Sequence, residues 1–129
     1  MSDPSSAADQ GSDDLLRANL MRVFNERDPS RRAAAVAELF VADPVMYEPT
    51  AIVEGRDAIV RVAGELLERF GPDFAFVPEG RAVGHHQLAV LHWHAGRSGG
   101  PVEVTGMDAA EIVDGRIARL WVLLQVPAP

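Results

Sequence analysis

The chain contains no cysteine and no lysine, and all twelve of its basic residues are arginine. Without cysteine there is no disulfide framework, no thiol nucleophile and no thiolate metal site. Without lysine there is no Schiff-base amine and no phosphate-gripping lysine of the P-loop kind. No apolar run approaches the ~20 residues that cross a bilayer, so a membrane-spanning segment is not expected. The opening MSDPSSAADQGSDD is acidic and polar and lacks the basic and apolar regions of a secretory signal, which makes a cytoplasmic address the expectation. Formal net charge is −7, and the arginines stand singly among carboxylates, so the electrostatic stripe of a nucleic-acid binder is missing. G-x-S-x-G, H-E-x-x-H and Gly-rich phosphate loops are also absent, and no cofactor is expected.

What remains is an ordinary globular composition, with 47% hydrophobic residues in 129 positions, enough for one core. Residues 1–11 carry almost no large apolar side chain and read as a disordered tail ahead of a single domain over 12–126. Ser12 is a candidate N-cap for a first helix, with Leu16, Leu20, Val23 and Phe24 on one stripe. Asp28-Pro29 caps a second helix bearing Ala33, Val36, Leu39 and Phe40, and Val45 to Glu48 reads as a short edge strand closed by Pro49. Gly55 introduces a third helix with Ile59, Val62, Leu66 and Phe70, ended by Gly71-Pro72.

Beyond Phe70 the period changes to two. Strands are predicted over Phe74–Val77, Gln87–Ala95, Val102–Val113 and Arg116–Gln125, with Asp114-Gly115 as a two-residue hairpin. Three N-terminal helices packed on one face of a curved, mostly antiparallel sheet is the α+β arrangement this order predicts.

Tyr47-Glu48-Pro49, Gly55-Arg56-Asp57-Ala58-Ile59, Val104-Thr105-Gly106-Met107-Asp108, Asp114-Gly115-Arg116-Ile117 and Trp121 together resemble the nuclear-transport-factor-2-like (NTF2-like) superfamily. The SnoaL-like and ketosteroid-isomerase-like branches are most similar. The resemblance implies a cone-shaped fold around an apolar cavity, a small apolar ligand, and homodimers formed through the outer face of the sheet. It also implies cofactor-independent acid/base chemistry of the isomerase, cyclase or dehydratase type on an apolar carbonyl or polyketide-like compound. The alternative is a ligand-binding or dimerisation module that has kept the fold without the chemistry.

Asp108 is the first candidate, because a carboxylate inside an apolar strand is costly unless partnered or protonated. It falls where the family keeps a pocket acid. Glu48 falls where the isomerases carry a catalytic base, although either Glu48 or Tyr47 could be the inward member of its strand. His92 and His94 share one strand face, and counting back from Asp108 across the Gly96 to Pro101 turn favours that face as the cavity side. They are the remaining acid/base candidates. An H-x-H pair without a third ligand does not make a metal site, and none is expected. Leu20, Phe24, Tyr47, Val104 and Trp121 are the expected substrate-binding wall. Leu20 stands where the isomerases have a tyrosine, a departure from the isomerase pattern.

Overall fold

A computed structural model describes residues 4–125, with side chains from Gln10 onward. Helix α1 covers Pro4–Asn19, passes into a π-helical turn at Leu20–Phe24, and is followed by α2 at Pro29–Leu39 and α3 at Arg56–Phe70. The strands are β1 Phe40–Glu48, β2 Ala51–Glu54, β3 Phe74–His85, β4 Leu88–Arg97, β5 Val102–Val113 and β6 Arg116–Gln125. They form one sheet in the order β2-β1-β6-β5-β4-β3, antiparallel except where β1 runs parallel to β6. Helices on one face of a curved sheet are what the sequence predicts, and no described helix is long and apolar enough to cross a membrane.

Several boundaries differ for physical reasons. Helix α1 starts at Pro4 and not at Ser12, so most of the stretch read as a tail is helical backbone; residues 1–3 lie outside the described residues. Proline suits a first helical turn, and Gln10 is tied both to Asp14 (3.1 Å) and to Arg81 on β3 (2.6 Å). Strand β1 is longer than expected and is not at the edge, because Ala51–Glu54 folds back on it and takes the edge position. A four-residue strand is too short for a period to show. Strand β3 runs on to His85 through an irregularity between Glu79 and Val83.

The π-helical turn is explained by what grips either side of it. On α1, Asp13 Oδ1 accepts the Ala82 N–H at 2.7 Å, and Arg17 reaches both Asp13 (2.8 Å) and the Gly80 carbonyl. Beyond the turn, the Asn25 amide donates to Phe76 O and accepts from Phe76 N, each at 2.8 Å. Ala82, Gly80 and Phe76 all lie on β3. An unbroken α-helix would leave Arg17 and Asn25 roughly 80° apart around its axis, whereas one wide turn absorbs a residue and brings them within about 20°. The helix widens so that both clasps can hold the same edge strand, which also leaves that edge unavailable for foreign pairing.

The other helices are fixed by their ends. Asp28 accepts from the Arg31 N–H at 2.8 Å, with Pro29 in the first turn. Arg27 donates to Gly71 O (2.8 Å) and Phe74 O (2.9 Å), placing a cation on the carbonyl end of α3. Ile59, Ala63 and Leu67 form the buried stripe of α3, while Phe70 remains 39% exposed at its end. Asn25→Ala removes both clasp bonds and leaves the Phe76 backbone groups unpaired in a part-buried setting. It should cost about 1–3 kcal/mol in denaturant melts with an unchanged slope, and a loss below ~0.5 kcal/mol would mean that the clasp does not hold the edge.

Candidate active site

Between the helices and the concave face of the sheet lies a cavity of about 450 Å³. Its wall is largely aromatic. Phe76 meets Phe24 edge-on at 6.0 Å, Phe74 at 5.5 Å and Trp93 at 5.2 Å, while Phe70 stacks on Phe74 at 4.4 Å. Leu20, Leu66, Val104 and Val122 fill the gaps between them. The polar members Glu48, Thr50, Arg69 and Glu103 are half-buried or exposed, and Asp108 is the one buried polar residue of the lining.

Asp108 is 3% exposed and sits on β5 opposite Leu91 of β4. Trp93 Nε1–H donates to its Oδ1 at 3.0 Å, and Oδ2 has no hydrogen-bond partner among the described residues. Burial disfavours the charged carboxylate and pushes the pKa up to about 7, with the Trp93 hydrogen bond pulling the other way. Gly106 makes the Trp93 position possible. A Cβ there would come within 2.6 Å of the indole and 2.5 Å of the Leu123 carbonyl, so no larger residue fits without displacing one of them.

The structure brings Asp108, Glu48, Leu20, Phe24 and Val104 to this cavity. Glu48 lines its mouth, where burial raises the carboxyl and the charge of Arg69 opposes the rise. The remaining candidates lie elsewhere. Tyr47 and Trp121 are register partners stacked at 5.0 Å on the outer face of the sheet, because Met46 and Glu48 take the inward positions of β1. His92 and His94 also face outward, with His94 Nδ1 2.6 Å from Glu79 Oε1, while Ala89, Leu91, Trp93 and Ala95 face in. Among the described residues no three potential metal ligands converge.

The histidine face is corrected by one residue. Ala95 pairs with Val104 but Gly96 pairs with Val102, so Glu103 is an extra residue in β5. A slip of one reverses every side chain beyond it, and a bulge is not visible in a period-two pattern. Trp93, Gly106, Phe74, Phe76 and Arg69 are the site residues that sequence reasoning missed. Phe74 and Phe76 share the parity of Trp93, a signal that becomes readable only once the register is known.

An α+β cone whose helices close a curved sheet over an apolar cavity, with a single buried acid in its lining, defines the structural class. The chain belongs to the SnoaL-like domain family, whose model matches residues 18–120. No curated protein matches it. Among solved structures, a protein from Agrobacterium tumefaciens provisionally named an isomerase of the SnoaL-like family superposes with a TM-score of 0.83 at 22% identity, covering 90% of this chain and 98% of that one. A provisionally named ketosteroid isomerase from Kribbella flavida gives 0.70 at 18% identity over 93% and 82% of the two chains. A provisionally named polyketide cyclase from Sinorhizobium meliloti gives 0.65 at 23% identity over 84% and 93%. These likenesses establish the shared fold.

Trp93→Phe keeps an aromatic ring and removes the donor to Asp108. The Asp108 carboxyl should then titrate higher than about 7 in carbon-detected NMR. An unchanged or lower value would show that the indole does not stabilise the carboxylate.

Proposed function

We propose that this protein is a cofactor-independent acid/base enzyme of the isomerase, cyclase or dehydratase type, acting on a small apolar carbonyl compound. The observation that carries this reading is Asp108: a buried carboxyl in an aromatic cavity, with one oxygen held by Trp93 and the other without a partner. A group with pKa about 7 is present in both protonation states at neutral pH, so it can take a proton from a carbon beside a carbonyl and return it. Trp93 orients the carboxyl through Oδ1. The aromatic wall excludes water and binds the apolar body of the substrate by its area. Such a proton shuttle needs no resident metal or cofactor, and Glu48 at the mouth is the second carboxyl that could exchange protons with solvent.

A specific observation favours the non-catalytic alternative. An enolate oxygen requires a donor deep in the cavity. The helix residue there is Leu20, and Thr50, which carries the one hydroxyl of the lining, is exposed at the mouth. If Asp108 donates as the neutral acid, the protein binds a carbonyl ligand without turning it over.

Asp108→Asn separates these readings and tests the stability cost of the acid. A carboxyl with a raised folded pKa destabilises the fold progressively as pH rises from the unfolded value, ~3.9, towards about 7, and the penalty is constant above that. The variant should therefore match the parent near pH 4 and be more stable at pH 8, by up to about 4 kcal/mol. Turnover of an enolisable ketone should fall ~10²–10⁴-fold. Unchanged turnover rejects Asp108 as the acid/base, and a variant less stable at pH 8 rejects the buried-acid premise.

A second copy of this chain covering the outer face of the sheet is also proposed. Ile52, Tyr47, Trp121, Ala109, Val90 and Val83 are successive register partners across all six strands, forming an apolar row with Ile52 66% and Val83 65% exposed. Sedimentation equilibrium should report a dimer that Trp121→Arg dissociates. A monomer at high micromolar concentration would remove the proposal.

A further inference from the structure

We infer that the natural ligand is amphipathic, with its carbonyl end in the aromatic cavity at Asp108 and a carboxylate or similar anionic group at the mouth, held by Arg69. This rests on the reading of the cavity as a carbonyl site and adds the chemistry of the ligand's other end. Arg69 lies in the last turn of α3, lines the cavity and is exposed, and it makes no hydrogen bond or ion pair among the described residues. A cation in that turn would ordinarily serve the carbonyl end of the helix. Here Arg27 already does so through Leu67, Gly71 and Phe74. The Arg69 guanidinium, with five donors in a planar fork, is left facing the cavity mouth.

No neighbouring carboxylate is ion-paired with it among the described residues. Glu103 Oε2 is engaged by the Arg97 N–H at 3.1 Å at the base of the β4–β5 hairpin. Glu48 is half-buried without a hydrogen-bond partner among the described residues; burial raises its pKa and the charge of Arg69 opposes the rise. Among the described residues Arg69 is the one cation of the lining. The two ends of the cavity therefore differ in what they accept. An anion cannot enter the aromatic depth, where it would be desolvated beside a second carboxyl, whereas at the mouth it keeps water on one side and gains charge-assisted bonds on the other. That asymmetry fixes ligand orientation, with the acid end outward and the neutral carbonyl inward.

The test uses the full chain and three probes: 2-tetralone, 2-tetralone with a carboxymethyl group on the ring remote from the ketone, and the same compound with an aminomethyl group. Titration calorimetry at low salt should show the carboxylate probe binding about 5- to 10-fold tighter than the neutral one and the ammonium probe more weakly than either. The preference should shrink as ionic strength rises. Arg69→Gln should equalise the carboxylate and neutral probes, Arg69→Lys should retain part of the preference, and Arg69→Glu should favour the ammonium probe. Equal binding of the neutral and carboxylate probes by the parent protein, or a preference that survives Arg69→Gln, overturns the inference. Binding of none of the three would instead count against the carbonyl-site reading, as would unchanged turnover in Asp108→Asn. Failure of the inference and failure of the reading beneath it therefore give different results.

Discussion

A side chain on a β-strand has two directions open to it, and the extra residue at Glu103 decides which of them β5 takes. In an unbulged continuation of the Gly96–Val102 pair, Asp108 would stand opposite Val90, on the face with His92 and His94. With the slip it stands opposite Leu91 and beside Trp93, inside the cone. The same slip puts Gly106 beneath the indole and Val104 in the cavity wall. The buried carboxyl in the cavity depth therefore follows from one inserted position. That position is held in place by a contact of its own, because the Glu103 carboxylate accepts the Arg97 N–H across the hairpin. Bulges placed next to a site re-aim side chains that the regular pleat would send outward, and here the residue re-aimed is the one buried acid of the lining among the described residues.

A buried carboxyl with one unpaired oxygen opposes folding at neutral pH, and the surrounding packing must exceed that cost. Phe24, Phe74, Phe76 and Trp93 form a chain of edge-on contacts that buries large areas while leaving an open volume between them. Each such ring contributes more burial than an aliphatic side chain, and edge-to-face pairs add about 0.5–1.5 kcal/mol each beyond area. The wall that stabilises the cone is thus also the wall that desolvates Asp108, so the raised pKa and the core packing have a common origin. A cavity lined by small aliphatic residues could not provide both.

What the sequence made legible was governed by range. Signals carried within a few residues were readable: Asp28-Pro29 at the start of α2, the periodic stripe of α3 between Gly55 and Gly71, and Asp114-Gly115 between β5 and β6. The identity of Asp108 as an out-of-place carboxyl was readable too, since it needs only the apolar residues on either side. Signals depending on a partner far along the chain were not. Strand β2 has four residues and exists because β1 lies beside it, and the outward turn of Tyr47 and Trp121 follows from a parallel pairing that no local pattern announces. Counting across the Gly96 to Pro101 hairpin places His92 and His94 on the cavity side, whereas the register of β4 and β5 turns them outward.

The π-helical turn shows the same long-range control acting on a helix. Two clasps on a single edge strand, Asp13 with Arg17 before the turn and Asn25 after it, require more rotation than α-geometry supplies, and Leu20–Phe24 absorbs the difference. That turn carries Leu20 and Phe24 into the cavity wall. It also leaves Asn19, immediately before it, fully buried with neither amide atom hydrogen-bonded among the described residues, a local cost on the order of 1–3 kcal/mol. A polar residue at that position is tolerated because the register of the helix is set by β3 and not by the preference of Asn19 itself. The edge strand therefore determines helix register, and helix register determines which side chains reach the ligand. Residues such as Gly80, Ala82 and Phe76, which offer only backbone groups to the clasps, shape the cavity as directly as the side chains that line it.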